Sequence, residues 1–405
     1  MSTHKWQFSA RFRRNIFGWR SQVPIQRIRE AVSEIKKVSR KDPVLGADGA
    51  VLFLEKISPA LEHVDSSSGA IGSAVNRAIE ALTPLIIKPV VSAEIRQQWM
   101  ERLWVAIEQD NMPYIEYLAD FWGELCVTSE LASFWADQFI HVVRQIWSKQ
   151  TTGYSYFKGT TACLSALYAA KRYKELLDLL EHSDKWWGDR RWGVQALIAM
   201  GQSAEALQYA ENSRGINAPI ADVARVCEDI LLSIGNVDEA YASYALASNR
   251  STTNLATFRA IVKKYPQKLP ATILNDLIKS EPGDEGKWFA AAKDAGFFDL
   301  AIKLVSKHPA DPRTLTRAAK EFSCEKPAFA MASGMASLHW IIHGYGYDIT
   351  SADVIEAYSA TQEGAKSAGL TETDIHKKIN ELLMANKTNS GFVEQILRPY
   401  LKTSI

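Results

Sequence analysis

Apolar residues recur along this chain with the three- and four-residue spacing of amphipathic helices. Between positions 23 and 38 they fall at Ile25, Ile28, Val32 and Ile35, with arginine and lysine on the other face. Similar stripes predict helices over 50–63, 69–87, 93–109, 114–127, 130–147, 327–343, 351–366 and 371–385. Strand patterns are scarce, and no Asn-Gly or Asp-Gly pair is flanked by alternating residues. We therefore predict an all-α fold.

A repeated pattern of glycine and alanine appears in the second half of the chain. In three copies an alanine follows a glycine by five residues. A fourth, fainter copy has lysine in place of the glycine and leucine in place of the alanine. The pairs are Gly201/Ala206, Gly235/Ala240, Gly296/Ala301 and Lys171/Leu176. A glycine can end a helix in the left-handed conformation, and a small residue lets the next helix lie close. Each copy therefore predicts a helical hairpin, which must stack on others to bury its apolar face.

At these residues the chain resembles the tetratricopeptide repeat (TPR) family, whose unit of about 34 residues has this glycine and this alanine. Gly201 and Gly235 are 34 residues apart, whereas Gly235 and Gly296 are separated by 61. The resemblance covers roughly residues 155–310 and implies that a protein or peptide partner binds on a concave face. We expect an N-terminal helical domain over 1–150, a TPR-like α-solenoid over 151–310 and a C-terminal helical cap over 311–405.

Composition excludes some classes of protein but indicates no particular activity. The 405 residues include 47 basic and 46 acidic side chains, so no overall charge favours nucleic acid or membrane. No continuous run of about 18 apolar residues predicts a membrane-spanning helix. The four cysteines form no CxxC pair and lie in apolar helical contexts, which predicts buried free thiols in a reducing compartment. The N-terminus has no apolar core typical of a secretory signal, so we expect a cytoplasmic protein.

The basic residues are concentrated at the N-terminus. Residues 1–41 hold eleven basic side chains against the acids Glu30 and Glu34, a net charge of +9 that leaves −8 for the remainder. The basic side chains are Lys5, Arg11, Arg13, Arg14, Arg20, Arg27, Arg29, Lys36, Lys37, Arg40 and Lys41, and interleaved with them are Trp6, Phe8, Phe12, Phe17 and Trp19.

This composition suits a nucleic-acid arm, anionic lipid or an acidic partner, and it equally suits docking on the acidic body of the same chain. So many large apolar groups favour docking, because a free solvated arm would expose them. Arg11, Arg13, Arg14 and Arg20 are the candidate contacts if this segment binds nucleic acid or a partner.

An unusual cluster of tryptophan and basic residues spans positions 184–192. If this loop is exposed, it would present to a protein partner the aromatic and arginine side chains that contribute most of the binding energy at interfaces. It would also give nucleic-acid bases a surface on which to stack. The alternative is that the tryptophans wedge between successive hairpins. The candidate partner-binding residues are Trp186, Trp187, Arg190, Arg191 and Trp192.

Motifs for catalysis or metal binding are weak. Glu116, Asp120 and Glu124 would align on one helix face, which favours a solvated acidic stripe over a cation site. The basic N-terminus is a candidate partner for this stripe. His339 and His343 have the spacing of a shared metal site, but the pattern is also typical of a helix end.

No P-loop, dinucleotide fingerprint or nucleophile elbow is present. We therefore predict no catalytic residues, cofactor or metal, and expect a non-catalytic scaffold or adaptor that binds a protein or peptide. The alternative is a nucleic-acid-associated protein that uses residues 5–41. An enzyme with a site between helices is the least favoured interpretation.

Overall fold

A computed structural model describes residues 4–148, 156–183, 186–215 and 218–401. Every regular element in these ranges is a helix, which confirms the prediction of an all-α fold. The chain divides into two compact units, one ending at Ile234 and one beginning at Gly235. The predicted boundary between residues 150 and 151 lies outside the described residues. The three-domain division therefore stays a prediction.

The N-terminal unit contains twelve α-helices among its described residues. They are α1 Gln7–Arg11, α2 Gln22–Ser39, α3 Pro43–Leu61, α4 Ala70–Ile87, α5 Ala93–Glu108, α6 Trp122–Cys126, α7 Ser129–Trp147, α8 Thr160–Ala169, α9 Tyr173–Leu180, α10 Trp187–Ala199, α11 Ser203–Asn212 and α12 Ile220–Ser233. A 3-10 helix, Glu116–Phe121, precedes α6 directly. The sequence predicted one continuous helix over 114–127, and this prediction is wrong because the first part has the tighter winding.

The C-terminal unit continues with ten α-helices in the described part of the chain. They are α13 Val237–Ser248, α14 Asn254–Lys264, α15 Pro270–Ser280, α16 Phe289–Asp294, α17 Phe298–Val305, α18 Pro312–Glu321, α19 Pro327–Ile342, α20 Ser351–Ser367, α21 Glu372–Ala385 and α22 Gly391–Leu401. The predicted helices at 327–343, 351–366 and 371–385 are confirmed within a residue or two as α19, α20 and α21.

Helix α3 lies at the centre of the first four helices. The Asp42 side chain accepts a hydrogen bond of 2.9 Å from the Leu45 amide, and Pro43 supplies the fixed φ of the first turn. Two glycines then allow close approach, because a Cβ at Gly46 would overlap Ser39 and one at Gly49 would overlap the Trp6 ring. The sequence of α3 therefore makes room both for α2 and for the N-terminal aromatic residues.

Three tryptophans join α5, α6 and α7. The fully buried Trp122 ring lies 6.0 Å from Trp104 and 5.2 Å from Trp135, measured between ring centroids. Gly123 follows, and a Cβ there would overlap the backbone of Ser165 in α8. The short helix α6 thus packs tightly against α8, beside the first of the hairpin pairs.

Helix α4 has the length and composition of a membrane span, with 18 residues and a mean hydropathy of 1.2. No other described helix meets both conditions. Its residues Ile71, Val75, Ile79 and Leu82 are fully buried in the core of the N-terminal unit. A buried core helix passes the same test of length and hydropathy, so α4 is weak evidence for a membrane.

The cysteines agree with the sequence prediction at three of four positions. All four are free, and Cys126, Cys163 and Cys227 are buried, whereas Cys324 is exposed. The prediction that every thiol is buried is therefore wrong for Cys324, which lies between α18 and α19. Burial raises the pKa of both Cys126 and Cys163 to about 12, so these two thiols stay protonated.

Candidate functional site

Four turns between consecutive helices share one backbone conformation. The residue at each turn is left-handed, with φ of +59° at Lys171, +79° at Gly201, +80° at Gly235 and +78° at Gly296. The residues that follow have φ between −84° and −96° and ψ between 50° and 64°; they are Arg172, Gln202, Asn236 and Phe297. The predicted glycine turns at 201 and 235 are confirmed.

Hydrogen bonds and burial repeat along with this conformation. In three turns the amide after the left-handed residue donates to a carbonyl five residues earlier, as expected for a Schellman motif. These bonds are Arg172 to Leu167 (3.0 Å), Gln202 to Leu197 (2.9 Å) and Phe297 to Ala292 (2.9 Å). Five residues after each left-handed position the side chain is fully buried, at Leu176, Ala206, Ala240 and Ala301. The predicted burial of Ala206 and Ala240 is thus confirmed.

One further hairpin explains the 61-residue interval between Gly235 and Gly296. Helices α14 and α15 contact each other and lie within this interval. Their connection has no glycine, and the fully buried Tyr265 ends α14 with φ of −120°. Pro270 begins α15. The pattern of glycine and alanine could not reveal this pair because it uses neither residue.

The tryptophan-rich segment is less exposed than a binding loop would be. Trp187 and Trp192 are each only 7% exposed and lie within α10, whereas Trp186, just before the helix, is 54% exposed. Asp184 and Lys185 lie outside the described residues. Burial of Trp187 and Trp192 favours a packing role for both and leaves Trp186 as the tryptophan available to a partner.

The two arginines of this segment are held by the protein itself. Arg190 donates a 2.9 Å hydrogen bond to the Tyr209 hydroxyl, and Arg191 forms a 2.5 Å ion pair with Asp120. Burial raises the pKa of Asp120, and the charge of Arg191 opposes that rise. Neither guanidinium is therefore free of internal partners.

The acidic residues 116, 120 and 124 do not form one site. The 3-10 helix breaks their expected alignment, and Asp120 is paired with Arg191 rather than with the basic N-terminus. Glu116 accepts a 2.6 Å hydrogen bond from the Tyr156 hydroxyl, while Glu124 is exposed. The suggested contact between this stripe and the N-terminus is therefore wrong for Asp120 and Glu116.

His339 and His343 lie at the end of α19, as the alternative interpretation expected. Their ring centroids are 4.2 Å apart, and His343 Nδ1 lies 2.9 Å from the His339 carbonyl oxygen. Burial, with a smaller contribution from the neighbouring His343, lowers the pKa of His339. Among the described residues, no third histidine, cysteine or carboxylate completes a metal-binding group here.

The N-terminal aromatic residues dock on the core, as the sequence favoured. Trp6, Phe8, Phe12 and Phe17 are buried, and the Phe8 and Phe12 rings lie 5.6 and 5.1 Å from Phe53 of α3. Backbone contacts support this docking, because the amides of residues 7 and 8 both donate to the Glu34 carboxylate, at 2.7 and 3.0 Å. Of the five aromatic residues in this segment, only Trp19 is exposed, at 71%.

Three of the four candidate arginines in this segment have internal partners. Arg11 pairs with Glu30 at 2.9 Å, and Arg14 lies 3.7 Å from Glu62. The Arg13 Nε donates to the Ala10 carbonyl at 3.1 Å. Arg20 is exposed, with no ion pair among the described residues. The charges that the sequence singled out are thus largely engaged within the N-terminal unit.

A different set of cations faces a groove between α2 and α4, which has a volume of about 630 Å³. Its lining comprises Ile28, Arg29, Val32, Ser33, Lys36, Lys37, Arg40, Ala74, Arg77 and Ala78. Five of these ten residues are basic and none is acidic. Four of them belong to the basic residues of positions 1–41, where the sequence does not distinguish them from the docked segment, and Arg77 was not predicted. The sequence does carry one signal for this surface, because residues 29, 33, 36, 37 and 40 are spaced so that they lie along one face of a helix.

Comparison with known proteins adds no family to this description: no protein-family model matches the chain, and no curated protein matches it. The candidate surfaces are therefore defined by their geometry and chemistry alone. They are the repeated hairpins with Trp186 beside them, and the basic groove between α2 and α4.

Proposed function

We propose that this protein is a non-catalytic scaffold whose TPR-like helical repeats bind a protein or peptide partner. The observation that carries this proposal is the turn that recurs at Lys171, Gly201, Gly235 and Gly296, each followed five residues later by a fully buried side chain. Repeats of this kind stack into solenoids with extended binding surfaces. The free cysteines support a reducing compartment, for which the cytoplasm is our proposal.

Ion pairs between residues about one repeat apart also support a repeating arrangement. Within the C-terminal unit, Arg259 binds both oxygens of Asp294, 35 residues later, and Arg250 pairs with Glu281, 31 residues later. Such pairs join equivalent edges of successive helical hairpins. We infer that the repeats extend over 151–310, between an N-terminal helical domain over 1–150 and a C-terminal cap over 311–405.

Exposed apolar side chains of the N-terminal unit mark the proposed partner surface. Met200 and Ile234 are both exposed, and each immediately precedes a turn glycine, so they occupy equivalent positions in two repeats. Trp186 lies exposed just before α10, the helix that ends at Ala199, next to Met200. Large apolar side chains at equivalent repeat positions suit the anchors of a bound peptide.

The experiment is affinity capture with the full chain as bait, comparing Trp186→Ala with Trp19→Ala. Both tryptophans are exposed, so neither variant should lower the Tm, but only Trp186→Ala should reduce recovery of the bound protein. A double variant, Met200→Lys with Ile234→Lys, should reduce recovery further. Equal recovery with all of these variants, or the absence of any specifically bound protein, would contradict the proposed surface.

A further inference from the structure

The groove between α2 and α4 carries a concentrated, unpaired positive charge. Among the described residues, no ion pair or side-chain hydrogen bond engages the charged groups of its five cations, which are Arg29, Lys36, Lys37, Arg40 and Arg77. All five side chains belong to exposed residues. Like charges this close repel one another, so an anion in the groove would relieve the repulsion and gain five partners.

Acidic residues of α2 face away from the groove. Glu34 accepts the amides of residues 7 and 8, and Glu30 pairs with Arg11 and Arg27. The docked N-terminal segment thus binds the two acidic side chains of α2. The basic stripe of α2 is left without internal counterions. Lys36 and Lys37 also lie in the last turn of α2, where the helix dipole favours cations, but the dipole explains neither Arg29 nor Arg77.

The dimensions of the groove suit one extended chain of phosphates. The stripe from Arg29 to Arg40 covers eleven residue-to-residue steps, about 16 Å along the helix axis. This length faces several phosphates, which rise about 3.4 Å apart along a stacked strand. A single strand leaves its bases free to stack on an aromatic side chain, whereas a duplex keeps its bases paired and stacked inside.

The segment that precedes α2 carries an exposed aromatic ring, Trp19. The Trp19 carbonyl accepts a 2.8 Å hydrogen bond from the Asp65 amide, which brings the segment before α2 beside the segment before α4. Trp19 is the one exposed aromatic of the N-terminal segment and is followed by the unpaired Arg20. Bases of a single strand stack on such rings without regard to sequence.

From these observations we propose that the groove between α2 and α4 binds a single strand of nucleic acid, with its phosphates on the basic stripe and a base on Trp19. An acidic peptide could pair with the basic stripe but has no base to stack on Trp19, so it is the weaker fit. The groove lies within residues 28–78, outside the proposed repeats, so its occupant is independent of the protein partner.

The test is fluorescence anisotropy of the full chain with a labelled single-stranded oligonucleotide of about 12 nucleotides. Each phosphate contact contributes a slope of about −0.7 to log K against log salt, so five contacts predict a slope of about −3.5. Affinity should then fall about 100-fold between about 50 and 200 mM salt. A slope near zero, or no binding at the lower salt concentration, overturns the proposal.

The matched variants carry the same charge change at two places. Changing Arg29, Lys36 and Arg40 to alanine should reduce the slope to about −1.4, because two of five contacts remain. Changing Arg11, Arg13 and Arg14 to alanine also removes three charges and should leave the slope almost unchanged. Equal effects of the two triple variants would mean that net charge, and not the groove, binds the strand.

Two further measurements identify the occupant. Trp19→Ala should weaken binding on the order of 10-fold through lost stacking, while Trp186→Ala should have no effect. Polyglutamate and a duplex of the same sequence should compete poorly with the single strand. Stronger competition by polyglutamate would assign the groove to an acidic protein, and equal competition by the duplex would exclude a site specific for single strands. Unchanged circular dichroism of each variant excludes loss of folding as the cause.

Discussion

Docking of the N-terminal segment should depend on its aromatic side chains and hardly at all on its arginines. Phe12 is 1% exposed, and its ring contacts Phe17 and Phe53 at centroid distances of 5.5 and 5.1 Å. Truncation of a buried phenylalanine to alanine costs about 3–5 kcal/mol. An exposed ion pair such as Arg11–Glu30 contributes about 0–1 kcal/mol. Phe12→Ala should therefore destabilise the docked segment several times more than Arg11→Ala.

Hydrogen exchange of the segment measures this difference directly. The Asn15 amide donates a 3.0 Å hydrogen bond to the Pro59 carbonyl, so its exchange reports opening of the segment from α3. A loss of 3 kcal/mol corresponds to exchange more than about 100-fold faster in Phe12→Ala, because about 1.4 kcal/mol is a factor of ten. Arg11→Ala should accelerate exchange by no more than about 5-fold.

Two outcomes would refute this reasoning. If Arg11→Ala accelerated exchange at Asn15 as much as Phe12→Ala, charge pairing rather than apolar burial would hold the segment. If neither variant changed exchange, burial of Phe12 would not stabilise the docked segment. A matched control is Trp19→Ala, which removes an exposed ring and should leave exchange at Asn15 unchanged.

Three more predictions concern the turns, the packed alanines and one helix cap. Ala240→Leu should overpack a fully buried site and lower stability by about 1–3 kcal/mol in urea denaturation, whereas a neutral result would contradict tight packing there. Gly201→Ala should lower the free energy of unfolding by about 1 kcal/mol, whereas Lys171→Gly should raise it, because both residues adopt a left-handed φ. Thermal melts in which each variant shifts the Tm in the direction opposite to this would contradict the prediction. Hydrogen bonds from Arg313 and Thr350 hold the pKa of Asp353 far below its usual value, so its stabilisation is fully present above pH 3.8 and is lost gradually as the pH falls from there towards the lowered pKa. Asp353→Ala should accordingly lower the Tm at pH 7, and this difference in Tm should shrink steadily as the pH falls below 3.8.

The sequence predicted helices well where apolar spacing and end signals agree. Pro327 begins α19 and Gly344 follows its end with φ of +80°, so the predicted 327–343 differs by one residue from the observed range. Glycine turns were equally readable, because left-handed φ is costly for other residues. Lys171 shows the limit of that rule, because it adopts a φ of +59° although it has a Cβ. Only its position in the repeat indicated a turn there.

Functional surfaces were harder to predict because they depend on which charges are already paired. Residues Arg11 and Arg29 look alike in the sequence, yet one binds Glu30 and the other faces the groove unpaired. Arg77 reaches the same groove from a helix almost fifty residues later, a proximity that periodicity does not encode. Likewise, Trp186 and Trp187 are neighbours, but the start of α10 falls between them and buries only the second.

The unequal distribution of tryptophan between the two units has a practical consequence. Ten of the twelve tryptophans precede Gly235, and only Trp288 and Trp340 follow it. Intrinsic fluorescence of the intact chain therefore reports mainly on the N-terminal unit, while circular dichroism weights both units by their helix content. Following both signals through one urea titration would resolve two unfolding steps without cutting the chain, if the units unfold separately.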